Sequence, residues 1–311
     1  MPALSCASFL ILIISLLIPE IAYSQETSVL IVGSSNKTFS NRLIESLNIE
    51  LKQKNITTKI KIIDQNNNLS KTEAQQHKLI IALGSVASKH IFEQNIDTPI
   101  LSLLIPTQSL ERLKSLKKNQ SPWAVVFLDQ PLQRQIIFSR YLLGTGKIIG
   151  FLLGPYSGKQ LASITDTARN LNIDIAVEHI DNDDLLIPSI KNLINNSDTI
   201  LSLPDPVAFN RKTIRGILLI SYRNNMPVIG FSKSYVKSGA LAAVYSTTEQ
   251  ISLHASEITA DFIDKKEFKQ TLNYPIYYSI ATNLQVARTL GINIKSDSEL
   301  LELIKNFEQT K

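Results

Sequence analysis

Apolar and polar positions alternate along this chain with two periods. Ser28–Val32, Lys59–Ile63, Leu79–Leu83, Pro99–Leu104 and Trp123–Phe127 are short runs, most of them almost wholly apolar, of the kind buried parallel strands require. Between them, Phe39–Lys54 places Leu43, Leu47 and Leu51 at helical spacing, and Val86–Glu93 reads as a second helix. Asp64–Leu69 is turn-like and precedes a short helix, whereas Thr107–Ser121 reads as polar surface. The pattern then restarts. Asp129-Gln130-Pro131 has the form of a helix cap with proline in the first turn, opening a helix through Leu142. Strands at Lys147–Leu153, Asp174–Glu178, Thr199–Leu203 and Pro227–Phe231 follow, with helices to about Leu171, at Asp184–Ile194 and at Asn210–Arg223. A short helix and one more strand lead to Ser246. Thr247–Ile263 is helical with Thr247 or Thr248 as its cap, Ile276–Ala281 is a strand, and Asn283–Leu290 and Ser296–Glu308 are helices.

Strands alternating with helices of this length predict an α/β fold with parallel sheets covered on both faces. The break near Phe127 divides the pattern into two doubly wound lobes joined by short hinge crossings, since no Gly/Ser/Pro-rich linker separates them. The expected organisation is residues 26–127 plus about 233–270 in the first lobe, and 128–232 plus about 274–311 in the second, with a cleft between.

The 311 residues are 44% hydrophobic and 19% charged, which suits a globular protein of two ordinary domains. Residues 1–24 stand apart: an apolar core at Phe9–Ile18, then Pro19, then the small-x-small site Ala22-Tyr23-Ser24. This reads as a secretory signal peptide cleaved near Ser24, although no Lys or Arg precedes the core; the alternative is a retained anchor, for which the core is short. After Ser24 no run is long enough to span a membrane. The single cysteine, Cys6, lies ahead of the apolar core, so the mature chain would have no disulfide, thiol nucleophile or lipid-attachment cysteine. Removing the signal changes the net charge from +5 to +6, and the Lys and Arg residues are scattered. That is a solvated surface, not a nucleic-acid footprint.

In open α/β sheets ligands sit outside the carboxyl ends of the strands. Here those ends read Gly33-Ser34-Ser35, Gly84-Ser85, Gly154-Pro155-Tyr156-Ser157, Pro204-Asp205-Pro206 and Phe231-Ser232-Lys233. Gly and Ser are ordinary turn residues one at a time. Together at one rim they offer helix N–H donors, short hydroxyls and close backbone approach, which suit a small polar ligand. Asp205, held between prolines, reads either as the partner of a ligand amine or as a turn former. Tyr156, Phe231 and Tyr235 are candidates for flat walls or for lobe packing.

Catalytic patterns are lacking. His77, His90, His179 and His254 are not paired at metal-ligand spacing, and no metal or cofactor is expected. Gly230-Phe231-Ser232-Lys233-Ser234 lacks the second glycine of a nucleophile elbow. Gly154–Gln160 is one residue short of a P-loop, and the Ser-x-x-Lys matches at Ser34 and Ser234 have no accompanying Lys-Thr-Gly.

The segment Leu203–Ser246, with Asn283–Ile292 after it, resembles the ABC transporter substrate-binding proteins that include tryptophan- and tyrosine-binding members. The resemblance implies a type I periplasmic-binding-protein fold with the ligand between the lobes, touched by Ser34, Gly84, Ser85, Tyr156, Asp205 and Ser232. It implies a periplasmic protein, not an enzyme, that hands a small molecule, an amino acid or relative, to an inner-membrane ABC permease. A sensing module that reports to a membrane kinase or receptor would use the same fold. Lys265–Tyr274 differs from the Gly-x-x-Pro turn of amino-acid-binding members, so the resemblance carries the fold and the site's location, not the ligand.

Overall fold

A computed structural model describes residues 28–34, 37–64 and 67–310, with the backbone alone at 37–40 and 183. The expected signal peptide and Cys6 lie outside the described residues.

The first sheet is built from β1 (Ser28–Ser34), β2 (Thr57–Ile63), β3 (Leu79–Leu83), β4 (Ile100–Ile105), β5 (Trp123–Phe127) and β11 (Leu272–Asn273), in the order β11-β5-β4-β3-β1-β2 and parallel throughout. The second contains β6 (Ile149–Leu153), β7 (Ile175–His179), β8 (Thr199–Leu201), β9 (Val228–Gly230), β10 (Ala242–Tyr245) and β12 (Ser279–Thr282), in the order β12-β10-β9-β8-β6-β7. Only the β10–β12 pair, at one edge, is antiparallel.

The helices lie on both faces: α1 (Lys37–Gln53), α2 (Lys71–Ala74), α3 (Gly84–Glu93), α4 (Leu110–Leu116), α5 (Leu132–Leu143) and α6 (Leu161–Asn170) in the first half of the chain. The second half adds α7 (Leu186–Asn196), α8 (Thr213–Arg223), α9 (Lys233–Lys237), α10 (Thr248–Lys265), α11 (Leu284–Thr289) and α12 (Asp297–Gln309). The strands show why both faces must be covered. In β1, Val29 and Ile31 enter one core with Leu43, Leu47 and Ala255, while Leu30 and Val32 enter another with Ile91 and Phe92. In β6, Phe151 and Leu153 face α5 residues Ile137 and Phe138, and Leu152 faces α7 and α8. Side chains at period two thus feed two separate cores per lobe.

The chain passes between lobes at 128–131, 246–247 and 274–278. Helix α5 packs on the second lobe and α10, opened by a Thr247–Gln250 capping box, on the first. One boundary differs from the sequence reading. Lys233–Tyr245, expected in the first lobe, belongs to the second: β10 pairs with β9 and β12, and α9 packs beside β9 and β10. The return to the first lobe begins only at α10.

A single cation ties the three crossings together. Arg134 on α5 is 6% exposed. Its NH1 group donates to Gln130 Oε1 at 2.6 Å and to the Pro275 carbonyl at 2.8 Å, and its Nε donates to Glu308 at 2.6 Å. Its guanidinium carbon lies 3.8 Å from the centre of the Tyr278 ring. Gln130 Nε2 donates to Ser246 Oγ at 2.9 Å, and that hydroxyl donates to the Tyr277 carbonyl at 2.6 Å.

Candidate functional site

The strand ends that the sequence marks do lie at the carboxyl rims of the sheets. On the first lobe, Ser34 closes β1 and is half-buried. Gly84 follows β3 with φ +81°, the left-handed region glycine tolerates, and a side chain there would meet only open space. Helix α3 therefore starts at Gly84 with no side-chain cap on its N–H groups. The Ser85 hydroxyl beside it is buried and has no hydrogen-bond partner among the described residues.

On the second lobe, Tyr156 follows β6 and is 45% exposed, with Lys159 Nζ 6.0 Å from its ring centre. Ser232 precedes α9 without capping it. Phe231 packs against Tyr235 with ring centres 4.3 Å apart and the planes tilted by 44°, and Tyr235 donates to the Phe209 carbonyl. Burial pushes the Tyr235 phenol up to about 12, so it stays protonated. Tyr235 is therefore packing for the lobe, whereas Phe231 both packs and reaches the cleft.

Asp205 corrects the sequence reading. Its residue is 3% exposed and its carboxylate faces into the second lobe. Oδ2 accepts from the N–H of Tyr156 (3.0 Å), the N–H of Ser157 (2.7 Å) and the Ser157 hydroxyl (2.9 Å). Oδ1 accepts from the N–H of Val207 (2.8 Å) and of Ala208 (3.1 Å). A carboxylate offers about four lone-pair sites, so five donors leave none for a ligand amine. Burial opposes ionisation, but these hydrogen bonds outweigh it and hold the carboxyl below its ordinary range. Asp205 is the strap that sews the β6 loop to the β8 loop. Gly154 makes room for it: a Cβ on that glycine would lie 2.2 Å from Asp205 Oδ1.

A cavity of about 200 Å³ opens where the crossings meet the second rim. Leu128, Asp129, Gln130, Gln135, Pro204, Phe231, Ser232, Tyr245 and Ser246 line it, so it is mostly apolar with a few convergent polar groups. Of the six residues singled out in the sequence, Ser232 reaches this cavity; Ser34, Gly84, Ser85 and Tyr156 stand on the rims, and Asp205 is turned away.

Asp129 is the residue the sequence misplaced. The pattern Asp129-Gln130-Pro131 predicts a helix cap, but α5 begins at Leu132 and has no side-chain cap. Instead Asp129 Oδ2 accepts from the Thr107 N–H at 2.6 Å. A bulge between Leu103 and Ile105, with Leu104 at φ +57°, turns the chain after β4 toward it. Burial outweighs the hydrogen bonds from Thr107 and from its own N–H, and pushes this carboxyl above the ordinary range. The position of an acid in the crossing was visible in the sequence; the bulge that re-aims it was not.

Among the described residues no group of His, Cys, Asp and Glu is placed to hold a metal ion, and no helix is long and apolar enough to cross a membrane. The larger openings lie elsewhere. One of about 780 Å³ is formed by Tyr141, Lys147, Asp198 and the 290–295 turn at the amino ends of the second sheet, away from the rims.

The family described as ABC transporter substrate binding protein matches residues 27–302. No curated protein matches the chain. Among solved structures, a ligand-free, open substrate binding protein with adhesive properties from Clostridium difficile has TM-score 0.69 at 15% identity, over 87% of this chain and 97% of that one. A conserved domain protein from Vibrio cholerae has TM-score 0.60 at 17% identity, over 89% and 98%. An ABC domain from Streptococcus pneumoniae in complex with L-Trp has TM-score 0.58 at 13% identity, over 89% and 98%.

Proposed function

This chain belongs to the ABC transporter substrate binding protein family and has the type I periplasmic-binding-protein fold, and from that premise we propose that it is a periplasmic solute-binding protein of an ABC importer. It is exported by its amino-terminal signal, takes up a small polar molecule between its lobes, and delivers that molecule unchanged to an inner-membrane permease. The observation that carries this reading is the cavity at the crossings, whose walls come from the β5–α5 crossing, the β10–α10 crossing and the second rim at once. A ligand held there lies against the crossings and the second rim, and rotation of the lobes would bring the first lobe's rim onto it, so it favours the closed arrangement by the contacts added there.

The rims supply the polar contacts: the uncapped start of α3 with the Ser85 hydroxyl on one side, Tyr156 and Ser232 on the other. An amino acid or a related small molecule fits that mixture of donors and flat walls, and one fold neighbour was solved with L-Trp. Asp205 contributes by fixing the loop that carries Tyr156.

The test is a thermal-shift screen of Gln25–Lys311 against amino acids, small carboxylates, nucleosides and sugars. Ligand at a hundred times its dissociation constant adds about 2.7 kcal/mol, which is several degrees for a protein of this size. A hit that is lost when Ser232 is replaced by a bulky residue supports the reading. Binding without a shift in the small-angle scattering profile toward a more compact form refutes closure.

A further inference from the structure

We propose that Asp129 is the counter-charge for a positively charged group of the cleft's ligand, which makes that ligand a small amphipathic cation: an ammonium or guanidinium carried on an apolar body. The inference rests on the solute-binding reading and deepens it.

A carboxylate withdrawn from water needs compensation, either from a cation or from a full set of donors. Other acids that line the lobes show what such compensation looks like. Glu308 has Arg134 and the Tyr278 hydroxyl, Glu73 has Lys61, and Asp205 has five donors. Asp129 receives hydrogen bonds from Thr107 and from its own N–H, and among the described residues no Lys, Arg or His pairs with it. Arg134, five residues further along on the adjoining helix, is directed to Gln130, Pro275 and Glu308 instead. Tyr274, whose ring is tilted against Phe127, also faces Asp129, and a phenol cannot neutralise it.

The rest of the cavity strengthens the assignment. Gln130 has both ends of its amide engaged, by Arg134 and by Ser246, and the Ser246 hydroxyl is spent on the Tyr277 carbonyl. Gln135 uses its amide N–H on the Gln130 carbonyl. What remains for a ligand is the Asp129 carboxylate as the one charged group, with Ser232, the Gln135 Oε1 and the Tyr245 hydroxyl as neutral ones, among Leu128, Pro204 and Phe231. Apolar walls around one unneutralised acid select a cation with an apolar body. The bulge at Leu104 holds the acid in place through Thr107, so the subsite exists before a ligand arrives.

The experiment uses the protein from Gln25 onward, wild type and Asp129→Asn, which keeps an oxygen for the Thr107 N–H. Ligand-free melting is measured first. The expected result is an Asp129→Asn melting temperature equal to or above wild type, because an uncompensated charge has been removed. A fall of several degrees would make Asp129 a structural acid and overturn the inference. Calorimetric titration follows with probes that differ mainly in charge: phenethylamine and agmatine as cations, 2-phenylethanol as neutral, 3-phenylpropionate as anion, and D-ribose as a polar solute. At least one cation should bind wild type ten-fold or more tightly than the neutral or anionic probes, and Asp129→Asn should erase that preference. Tightest binding of a neutral or anionic probe, or a preference unchanged in Asp129→Asn, overturns the inference and leaves the solute-binding reading standing. No binding of any probe, or of any solute in the wider screen, removes both.

Discussion

Replacing Asp205 by asparagine separates a strap from a ligand contact. The side chain keeps its shape but loses its charge and one acceptor. If the amide oxygen takes the Oδ2 position, the donors from Tyr156 and Ser157 stay satisfied, while the N–H groups of Val207 and Ala208 face an amide NH2. Two buried donors then lack an acceptor, at about 1–3 kcal/mol each. With partial relief from water, the net loss is about 3 kcal/mol, or roughly 6–12 °C for a domain of 150–250 residues. Calorimetric melting of the ligand-free protein at neutral pH measures it. The loss should depend on pH. Because the folded carboxyl titrates below its ordinary range, its contribution is fully present above the unfolded value of about 3.9 and fades as pH falls through the folded one. Wild type and variant should therefore converge in acid. A variant that melts within a degree of wild type at pH 7 while losing ligand would refute the strap and restore Asp205 to the site.

Two other perturbations probe the same architecture. Gly154→Ala puts a methyl 2.2 Å from Asp205 Oδ1 and should cost about 2–3 kcal/mol by melting; combined with Asp205→Asn the two losses should be clearly less than additive, and simple additivity would mean the strap does not need the glycine. Arg134→Lys keeps a charge but not the fork that reaches Gln130, Pro275 and Glu308 together, and should lower the urea-unfolding free energy by about 2–4 kcal/mol; an unchanged midpoint would show that the crossings are held by other contacts.

Much of the scaffold was legible in the apolar runs. Leu79–Leu83 and Trp123–Phe127 were read to the residue, because a parallel strand covered on both faces must be apolar nearly throughout. Helix α4 was missed: Leu110, Leu113 and Leu116 are its only apolar positions and only Leu113 is buried, so its stretch looks like polar surface. The strand expected from Ile276 starts at Ser279, because Ile276 is 52% exposed and Tyr278 is used under Arg134, although both look like strand residues. In each case the missing information was which neighbour the side chain meets.

The two acids of the second half of the cleft show the same limit where it matters for function. In the sequence Asp129 and Asp205 are alike, each within two residues of a proline in a turn between a strand and a helix. A gap in place of a side chain at Gly154 lets one carboxylate reach five donors and leaves it saturated. A left-handed residue at Leu104 brings the other a donor from Thr107 and no cation, at the wall of a cavity. Saturation depresses the first carboxyl and enclosure raises the second, so the two shifts have opposite sign for one residue type. The cavity beside Asp129 also shares Gln130 and Ser246 with the Arg134 network. Whatever presses on those two side chains presses on all three crossings, because each is one hydrogen bond from the next. The acid without a counter-ion and the amide that links Arg134 to Ser246 are therefore adjacent residues in sequence, Asp129 and Gln130, and that adjacency puts the proposed ligand recognition and the hinge network at the same turn of the chain.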